Sequence, residues 1–416
     1  SRQVKNGSLF LAIKGERVDG HDFIEKCFAQ GAVCALCEKA PENATKPCIV
    51  VPSTLDAVKK IGRAYREKFD IPVIGISGSV GKTSTKEMLY AVLSQKFKTH
   101  KTQGNLNNEL GVPLTLLSMP EDTEAAVIEM GISDFGEMTR LSEMVQPTIC
   151  VLTIIGECHL ENLGDRDGVL KAKTEMFKNA RKNADFILNG DDDKLSTVKT
   201  VNGKKPVFFG LDAKNDFYAK NIKNSGDGKV LATLCFDNND IDVEIPAIGT
   251  YMVTNALAAA AAGKLLGLTD EEIANGVASY KTVGSRANVI DTGKIKIIDD
   301  CYNANPTSVR ASLDTLSNLD GRKVAILGDM KELGSEELKL HFDTGVYAKS
   351  KDIGTVITVG ELAKELAKGA DGKAFDTIED AKSEILKTIK SGDVVLVKAS
   401  HSMQFENIVE FLKQNF

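Results

Sequence analysis

The sequence predicts an α/β protein of three domains: a small α/β domain over residues 1–69, a central domain built on a parallel sheet over 70–292, and a third α/β domain over 293–416. Three observations lead to this prediction. A chain of 416 residues is too long for one hydrophobic core. Apolar strands alternate with amphipathic helices from about residue 73 and again from about residue 293. A polar stretch over 205–246 interrupts the alternation.

The first domain is predicted from short apolar strands at residues 9–13, 32–37 and 49–51. The second strand contains Cys34 and Cys37, and two further cysteines lie nearby. Such spacing is compatible with zinc, but the apolar run is typical of a buried strand. We therefore favour reduced thiols in a core over a metal site.

The central domain is predicted from apolar strands at residues 73–77, 125–128, 149–155 and 186–188, separated by helices that include one at 85–97. This alternation favours a mostly parallel sheet covered on both faces. The polar stretch over 205–246 contains short alternating strands and predicts an antiparallel appendage on the same domain. A helix at 255–266 is nearly all alanine and leucine, so it is expected to be buried.

The third domain is predicted from strands at residues 295–298, 324–327, 356–359 and 394–397, with helical stretches between them. This order is typical of a Rossmann-like α/β domain.

Composition excludes several kinds of partner. Acidic residues exceed lysine plus arginine by 58 to 52, and no long basic run is present, so a nucleic-acid partner is not expected. No stretch approaches the roughly 20 apolar residues that span a bilayer, and the first residues do not form a signal peptide. We expect a cytoplasmic protein that does not bind membranes.

Residues 78–83 (GSVGKT) follow a strand and precede a helix, which is the arrangement that cradles phosphate on backbone N–H groups. Lys82 would neutralise phosphate charge and Thr83 would bind Mg²⁺. The usual motif, G-x-x-x-x-G-K-[ST], requires a glycine at position 76, but the chain has Ile76 there and Gly75 one residue earlier. Only the shorter pattern G-x-x-G-K-T matches. Because a strand and a helix flank the loop, we favour a phosphate-binding P-loop over a simple turn.

Two further strands of the central domain end near charged side chains, Glu129 and His159. Alone, each would be interpreted as a surface group, but ligand sites collect at the carboxyl ends of parallel strands. Residues 102–108 (TQGNLNN) add amides that suit either a turn or a polar substrate, and both interpretations stay open.

The third domain carries the segment IDDCYNANP at residues 298–306. Asn305 and Pro306 suit the N-cap and first position of the next helix, so Asn305 has a structural explanation. Asp300, Tyr302 and Asn303 have none and are candidate site residues.

Together these segments resemble the Mur ligases. The resemblance rests on residues 78–83, 102–108, Glu129, 159–161, 299–306 (DDCYNANP) and 327–334 (LGDMKELG). The last two are its most specific marks, and the likeness covers nearly the whole chain. It implies that the first domain binds a uridine nucleotide, that the central domain is a P-loop ATPase, and that the third closes over ATP and admits an amine.

Within the family, the marks are those of members that join UDP-N-acetylmuramoyl-tripeptide to D-alanyl-D-alanine. The resemblance implies that the tripeptide carboxylate takes the γ-phosphoryl group of ATP, and that the amine attacks the resulting acyl phosphate. It also implies a monomer that works in peptidoglycan precursor synthesis, and residues that precede Ser1.

The resemblance implies a role for each of a set of residues. The catalytic residues would be Lys82, Glu129, His159 and Lys173, the last at a place where the family tends to carry a carbamylated lysine. Two Mg²⁺ ions would be bound by Thr83, Glu129, His159 and Lys173. ATP would be bound by Gly78, Ser79, Gly81, Lys82, Thr83, Ser84, Asn255, Arg286, Asp300 and Asn303. Substrate would be bound by Ser1, Arg2, Asn105, Asn107, Asn108, Tyr302 and Asn305.

Two segments depart from the family pattern: Tyr251 stands where histidine is common, and residues 398–402 (KASHS) replace Lys-Gly-Ser-Arg. Two alternatives stay open. One is a related amide ligase, such as a folylpolyglutamate synthetase or another Mur ligase, against which residues 302–306 argue. The other is a nucleotide-gated binding protein without ligase activity, against which Lys82, Glu129 and His159 argue.

Overall fold

The computed structural model describes residues 4–15, 18–225 and 228–416, so Ser1 and Arg2 lie outside the described residues. It shows the predicted three-domain α/β architecture, built largely on parallel sheets. No helix in the described ranges is long and apolar enough to cross a membrane.

The first domain is a small three-stranded parallel sheet of order β1-β2-β3. Its elements are β1 (Leu9–Leu11), α1 (Ile24–Ala29), β2 (Cys34–Cys37), β3 (Cys48–Val50) and α2 (Thr54–Arg66). All eight cysteines of the chain are free thiols. No group of three or more His, Cys, Asp or Glu side chains placed to hold a metal ion is found among the described residues.

Helix α2 attaches this domain to the central one. The Arg66 side chain is fully buried and donates hydrogen bonds to the carbonyls of Val145 at 2.9 Å, Phe69 at 2.7 Å and Gln146 at 3.3 Å. Burial lowers the pKa of Arg66 to about 10. The guanidinium therefore links α2 to the end of a helix in the next domain.

The central domain contains a six-stranded sheet whose strands are all parallel. Its first half consists of β4 (Val73–Ser77), α3 (Lys82–Leu93), β5 (Thr99–Lys101), α4 (Gly111–Leu117), β6 (Ala125–Glu129) and α5 (Glu137–Val145). Its second half consists of β7 (Ile149–Leu152), α6 (Leu160–Leu163), α7 (Arg166–Thr174), β8 (Asp185–Asn189) and β9 (Val207–Phe209). The strand order β5-β6-β4-β7-β8-β9 places β4, with its loop, in the interior of the sheet.

An antiparallel sheet and two helices complete this domain: β10 (Tyr218–Asn224), β11 (Val230–Phe236), β12 (Asn239–Ile245), α8 (Tyr251–Leu265) and α9 (Asp270–Ala278). The alanine-rich α8 packs against α3 and is largely buried, as predicted. One detail of the prediction was wrong. Residues 207–209, assigned to the antiparallel appendage, form β9, the sixth strand of the parallel sheet, because they pair with β8.

The third domain contains a six-stranded sheet of order β13-β14-β18-β15-β16-β17, in which only β13 is antiparallel. Its first elements are β13 (Asn288–Asp291), β14 (Lys296–Asp299), α10 (Pro306–Ser317), β15 (Arg322–Gly328) and α11 (Glu337–Ser350). The others are β16 (Thr355–Val359), α12 (Ala363–Ala370), β17 (Lys373–Phe375), α13 (Ile378–Thr388), β18 (Asp393–Lys398) and α14 (Glu406–Asn415). β13 lies before residue 293, where we placed the domain boundary, yet it pairs with this sheet.

His341 lies fully buried on α11 and supports the loop that follows β15. Its Nε2 accepts the Met330 N–H at 2.9 Å, and its Nδ1 lies 2.6 Å from the Glu337 carbonyl oxygen. Burial lowers the pKa of His341, because the charged form would be desolvated and could no longer accept the Met330 bond.

We expect acid to destabilise the fold through His341. Its folded-state pKa is depressed, so below the ordinary value of about 6.5 the unfolded chain binds the proton more readily. The free energy of unfolding should fall by about 1 kcal/mol more in the wild type than in His341→Gln between pH 7.5 and 5.5. Urea unfolding at the two pH values measures the difference, and equal losses would contradict it.

Candidate active site

A cavity of about 440 Å³ lies between the central and third domains, where the carboxyl ends of their strands face each other. It brings together most of the residues predicted from the sequence. Those that line it are Ser79, Gly81, Lys82, Thr83, Ser84, Asn107, Asn108, Glu129, His159, Asn255, Arg286, Asp300, Tyr302, Asn303 and Asn305.

The glycine-rich loop leads from β4 directly into α3. Gly78 packs so tightly that a Cβ atom there would lie 1.9 Å from the Thr153 hydroxyl oxygen. Gly81 has φ +84 and is the N-cap of α3, which therefore starts at Lys82, three residues before the predicted start. Because no side chain caps this end, the N–H groups of the first turn are available to an anion.

The Lys82 ammonium lies in this loop and donates to the Gly78 carbonyl at 2.7 Å. Burial is the main cause that lowers its pKa, and the nearby Arg286 lowers it further. The loop also contacts the segment that follows β7, since the Ser79 hydroxyl accepts the Gly156 N–H at 2.9 Å. Residues 153–155, predicted as part of the strand 149–155, therefore lie outside the sheet, because β7 ends at Leu152.

Glu129 is buried at the end of β6, with 1% of its surface exposed. The Thr83 hydroxyl lies 3.0 and 2.9 Å from its two carboxylate oxygens, and the Asn107 amide donates to it at 2.9 Å. The Lys86 ammonium, also buried, lies 3.6 Å away. A hydroxyl and a carboxylate in contact beside a phosphate-binding loop form a suitable oxygen donor set for a divalent cation.

In the third domain, Asp300 is held from two sides at the end of β14. Lys398 of β18 donates to its carboxylate at 2.6 Å, and the Ser312 hydroxyl of α10 donates at 2.7 Å. Lys398 also donates to the Asn303 carbonyl at 3.0 Å. The Arg286 guanidinium stacks 3.6 Å above the centre of the Tyr302 ring. These contacts connect the loop after β14 to β18, α10 and Arg286.

Two of the predicted substrate residues stabilise the start of a helix, and a third lies outside the cavity lining. The Asn305 side chain accepts the Ser308 N–H at 2.8 Å and caps α10, as its N-cap interpretation predicts. Asn108 accepts the Gly111 N–H at 2.8 Å at the start of α4. Asn105 is exposed, and it is not part of the cavity lining.

His159 lies at the end of the segment that follows β7, directly before α6, and Lys173 lies on α7. His159 has φ +51, and its Nδ1 lies 2.6 Å from Oε2 of Glu332 in the third domain. Lys173 on α7 has only 1% of its surface exposed, so it is not the exposed helical lysine that its sequence context alone indicates. Burial and the nearby Lys82 charge lower its pKa to about 8.

Sequence reasoning missed several residues of the cavity. Asn189, Asp191, Phe209 and Leu211 line its end near β8 and β9, and Lys398 lies beside Asp300. A signal was present for Asn189, since it directly follows the predicted strand 186–188 at the edge where ligand sites collect.

Comparison with known proteins gives the same family along the whole chain. Residues 1–67 match the model for the Mur ligase family catalytic domain, 76–263 the Mur ligase middle domain, and 285–401 the Mur ligase glutamate ligase domain. The UDP-N-acetylmuramoyl-tripeptide–D-alanyl-D-alanine ligase of Bacillus subtilis (strain 168) is 37% identical, with 99% of this chain and 92% of that protein covered.

Solved structures give a similar result. MurF from Acinetobacter baumannii superposes with a TM-score of 0.93 at 33% identity, covering 99% of this chain and 92% of that one. MurF ligase from Thermotoga maritima, in complex with ADP, gives a TM-score of 0.90 at 30% identity, covering 100% and 96%.

Proposed function

The chain belongs to the Mur ligase family, and we propose that it joins UDP-N-acetylmuramoyl-tripeptide to D-alanyl-D-alanine with conversion of ATP to ADP and phosphate. The names of its relatives support this reaction. The observation that carries it is the shared cleft, in which the phosphate-binding loop of the central domain faces residues 299–306 of the third.

The reaction has two steps. An oxygen of the terminal tripeptide carboxylate attacks the γ-phosphorus of ATP, and the bond to ADP breaks. The amine of D-alanyl-D-alanine then attacks the acyl carbon, phosphate leaves, and the nitrogen loses a proton. Neither step needs a covalent bond to the protein, so the protein contributes positioning and charge neutralisation.

The central domain binds the phosphates in this proposal. The uncapped N–H groups at the start of α3 would bind the phosphates of ATP, and the Lys82 ammonium would neutralise phosphate charge, an interaction that is stronger where water is partly excluded. Ser79 and Gly81 shape the loop. The Asn255 side-chain oxygen accepts from the Thr85 hydroxyl at 2.9 Å, and Asn255 lines the cavity, where it would contact the nucleotide.

The third domain completes the nucleotide site from the opposite side. Asp300 and Asn303 are held rigidly by Lys398, and Arg286 is held by its stacking on Tyr302. Because the two halves lie on different domains, turnover requires the domains to close over ATP and substrate.

The residues present fit the magnesium ions that such a reaction uses. Thr83 and Glu129 already contact each other through oxygen atoms, and His159 lines the same cavity. Magnesium supplies neutralisation of phosphate charge when bound. Thr83, Glu129 and His159 would hold the cation from the protein side.

We propose that Lys173 is carbamylated in the active enzyme. The side chain has only 1% of its surface exposed, and burial lowers its pKa to about 8. Burial disfavours the cation, whereas a carbamate would offer oxygen atoms to a metal ion. We further propose that the enzyme acts in the cytoplasm, on precursors of peptidoglycan.

The substrate requirement tests the proposed function. ADP formation, measured by a coupled assay, should require both UDP-N-acetylmuramoyl-tripeptide and D-alanyl-D-alanine, and single alanine should be a poor substitute. Equal ADP formation without either substrate would favour the nucleotide-gated binding protein. Faster turnover with a folate and glutamate would favour the folylpolyglutamate-type ligase instead.

A further inference from the structure

Residues 328–334 (GDMKELG) form a specific sequence motif for which the proposed function gives no role. The backbone is fixed on both sides of Glu332. The Met330 N–H donates to the buried His341, and the Leu333 side chain is buried with 1% of its surface exposed. The position of Glu332 is therefore set by the third domain.

Glu332 has an unfavourable backbone conformation. Its φ is +65, in the left-handed region, which costs free energy for a residue with a Cβ atom. Packing does not require a glutamate here, since 59% of the side chain is exposed. Residues held in such conformations concentrate at functional sites. The conformation directs the carboxylate toward the central domain.

The Glu332 carboxylate meets His159 across the domain boundary, with 2.6 Å between Oε2 and Nδ1. This contact lowers the pKa of Glu332. The Nδ1 atom of His159 is buried and makes no well-formed hydrogen bond among the described residues, so the Glu332 carboxylate is the acceptor within its reach. Beside it, the Thr307 hydroxyl of the third domain donates to Glu157 at 2.5 Å.

We infer that Glu332 is a positioning residue that accepts the Nδ1–H of His159 and so keeps the Nε2 lone pair free for a cation beside the nucleotide phosphates. A carboxylate behind a metal-binding histidine fixes both its tautomer and its ring orientation. Because Glu332 and His159 belong to different domains, His159 becomes a competent ligand only when the third domain is docked. This inference rests on the proposed function, since it concerns the cation of that site.

Binding of Mn²⁺, as a spectroscopic substitute for Mg²⁺, tests the inference without turnover. Electron paramagnetic resonance should measure Mn²⁺ affinity in the presence of a non-hydrolysable ATP analogue and UDP-N-acetylmuramoyl-tripeptide. Glu332→Ala should weaken Mn²⁺ binding by about 10- to 100-fold. Glu332→Gln should weaken it less, because its amide oxygen still accepts. Glu336→Gln, which changes an exposed glutamate four residues later in the chain, should bind like the wild type.

Glu332→Gly separates this role from a structural one. Glycine adopts φ +65 without strain, so this variant should melt at the same temperature as the wild type or higher, yet lose Mn²⁺ affinity as Glu332→Ala does. Wild-type Mn²⁺ affinity in both variants would overturn the inference. A wild-type protein that forms no product from the two substrates would instead overturn the proposed function, while the Mn²⁺ measurement would still decide the role of Glu332.

Discussion

Lys82→Ala is expected to lower kcat/KM for ATP by about 10²- to 10³-fold or more while leaving the fold intact. Lys82 is the first residue of α3, and its ammonium contacts only the carbonyls of Gly78 and Ser79 among the described residues. The Lys82 side chain therefore contributes positive charge at the phosphates and is not needed for packing of the core. Phosphate release measured over a range of ATP concentrations with the other substrates saturating, together with the melting temperature of the same sample, measures both parts of the expectation.

A matched control for Lys82 is Lys178→Ala, which removes an exposed lysine of the same domain. It should turn over at the wild-type rate. An unchanged kcat/KM for ATP in Lys82→Ala would remove the loop from the mechanism. Equal loss in both variants would show that net charge, rather than the ammonium at this position, controls the rate.

Much of the fold could be predicted because the interior strands of the two large sheets, such as β4, β6, β7 and β18, are buried on both faces. β4 was predicted with its observed limits, since residues 73–77 form an apolar run between a proline and the glycine-rich loop. The short strand β9 could not be assigned in the same way. Its three residues pair in parallel with β8. Whether they join this sheet or the antiparallel one depends on a sheet edge that is formed by segments distant in sequence.

The phosphate-binding half of the site could be predicted because its residues are close together in sequence and directly follow a strand. The contacts between domains could not. Glu332 and His159 meet only because the third domain docks on the segment after β7. The burial of Lys173 could not be predicted from the sequence either. Lys171 and Lys173 lie on the same short helix, and only the packing of α7 decides that Lys173 faces inward.

Lys173→Ala is expected to lower turnover by about 10²-fold or more, because it removes the proposed carbamate from the metal site. ATP affinity should change little, since the phosphate contacts come from α3 and its loop. The matched control is Lys171→Ala, an exposed lysine two residues earlier on α7, which should retain wild-type turnover. Wild-type rates in Lys173→Ala would reject the carbamate and leave Lys173 as a buried structural residue.

Carbamate formation predicts a dependence on pH and CO₂ that a structural lysine would not show. CO₂ reacts with the neutral amine, and a pKa of about 8 leaves about a quarter of Lys173 neutral at pH 7.5, against about 0.1% of an ordinary lysine. Turnover should therefore fall below pH 8 in CO₂-depleted buffer and recover when bicarbonate is added. In Lys173→Ala, bicarbonate should have no effect, whereas acetate should restore part of the rate by placing a carboxylate in the vacated space. Mass spectrometry of the native protein should show the added mass of one CO₂ in the wild type and in Lys171→Ala, but not in Lys173→Ala.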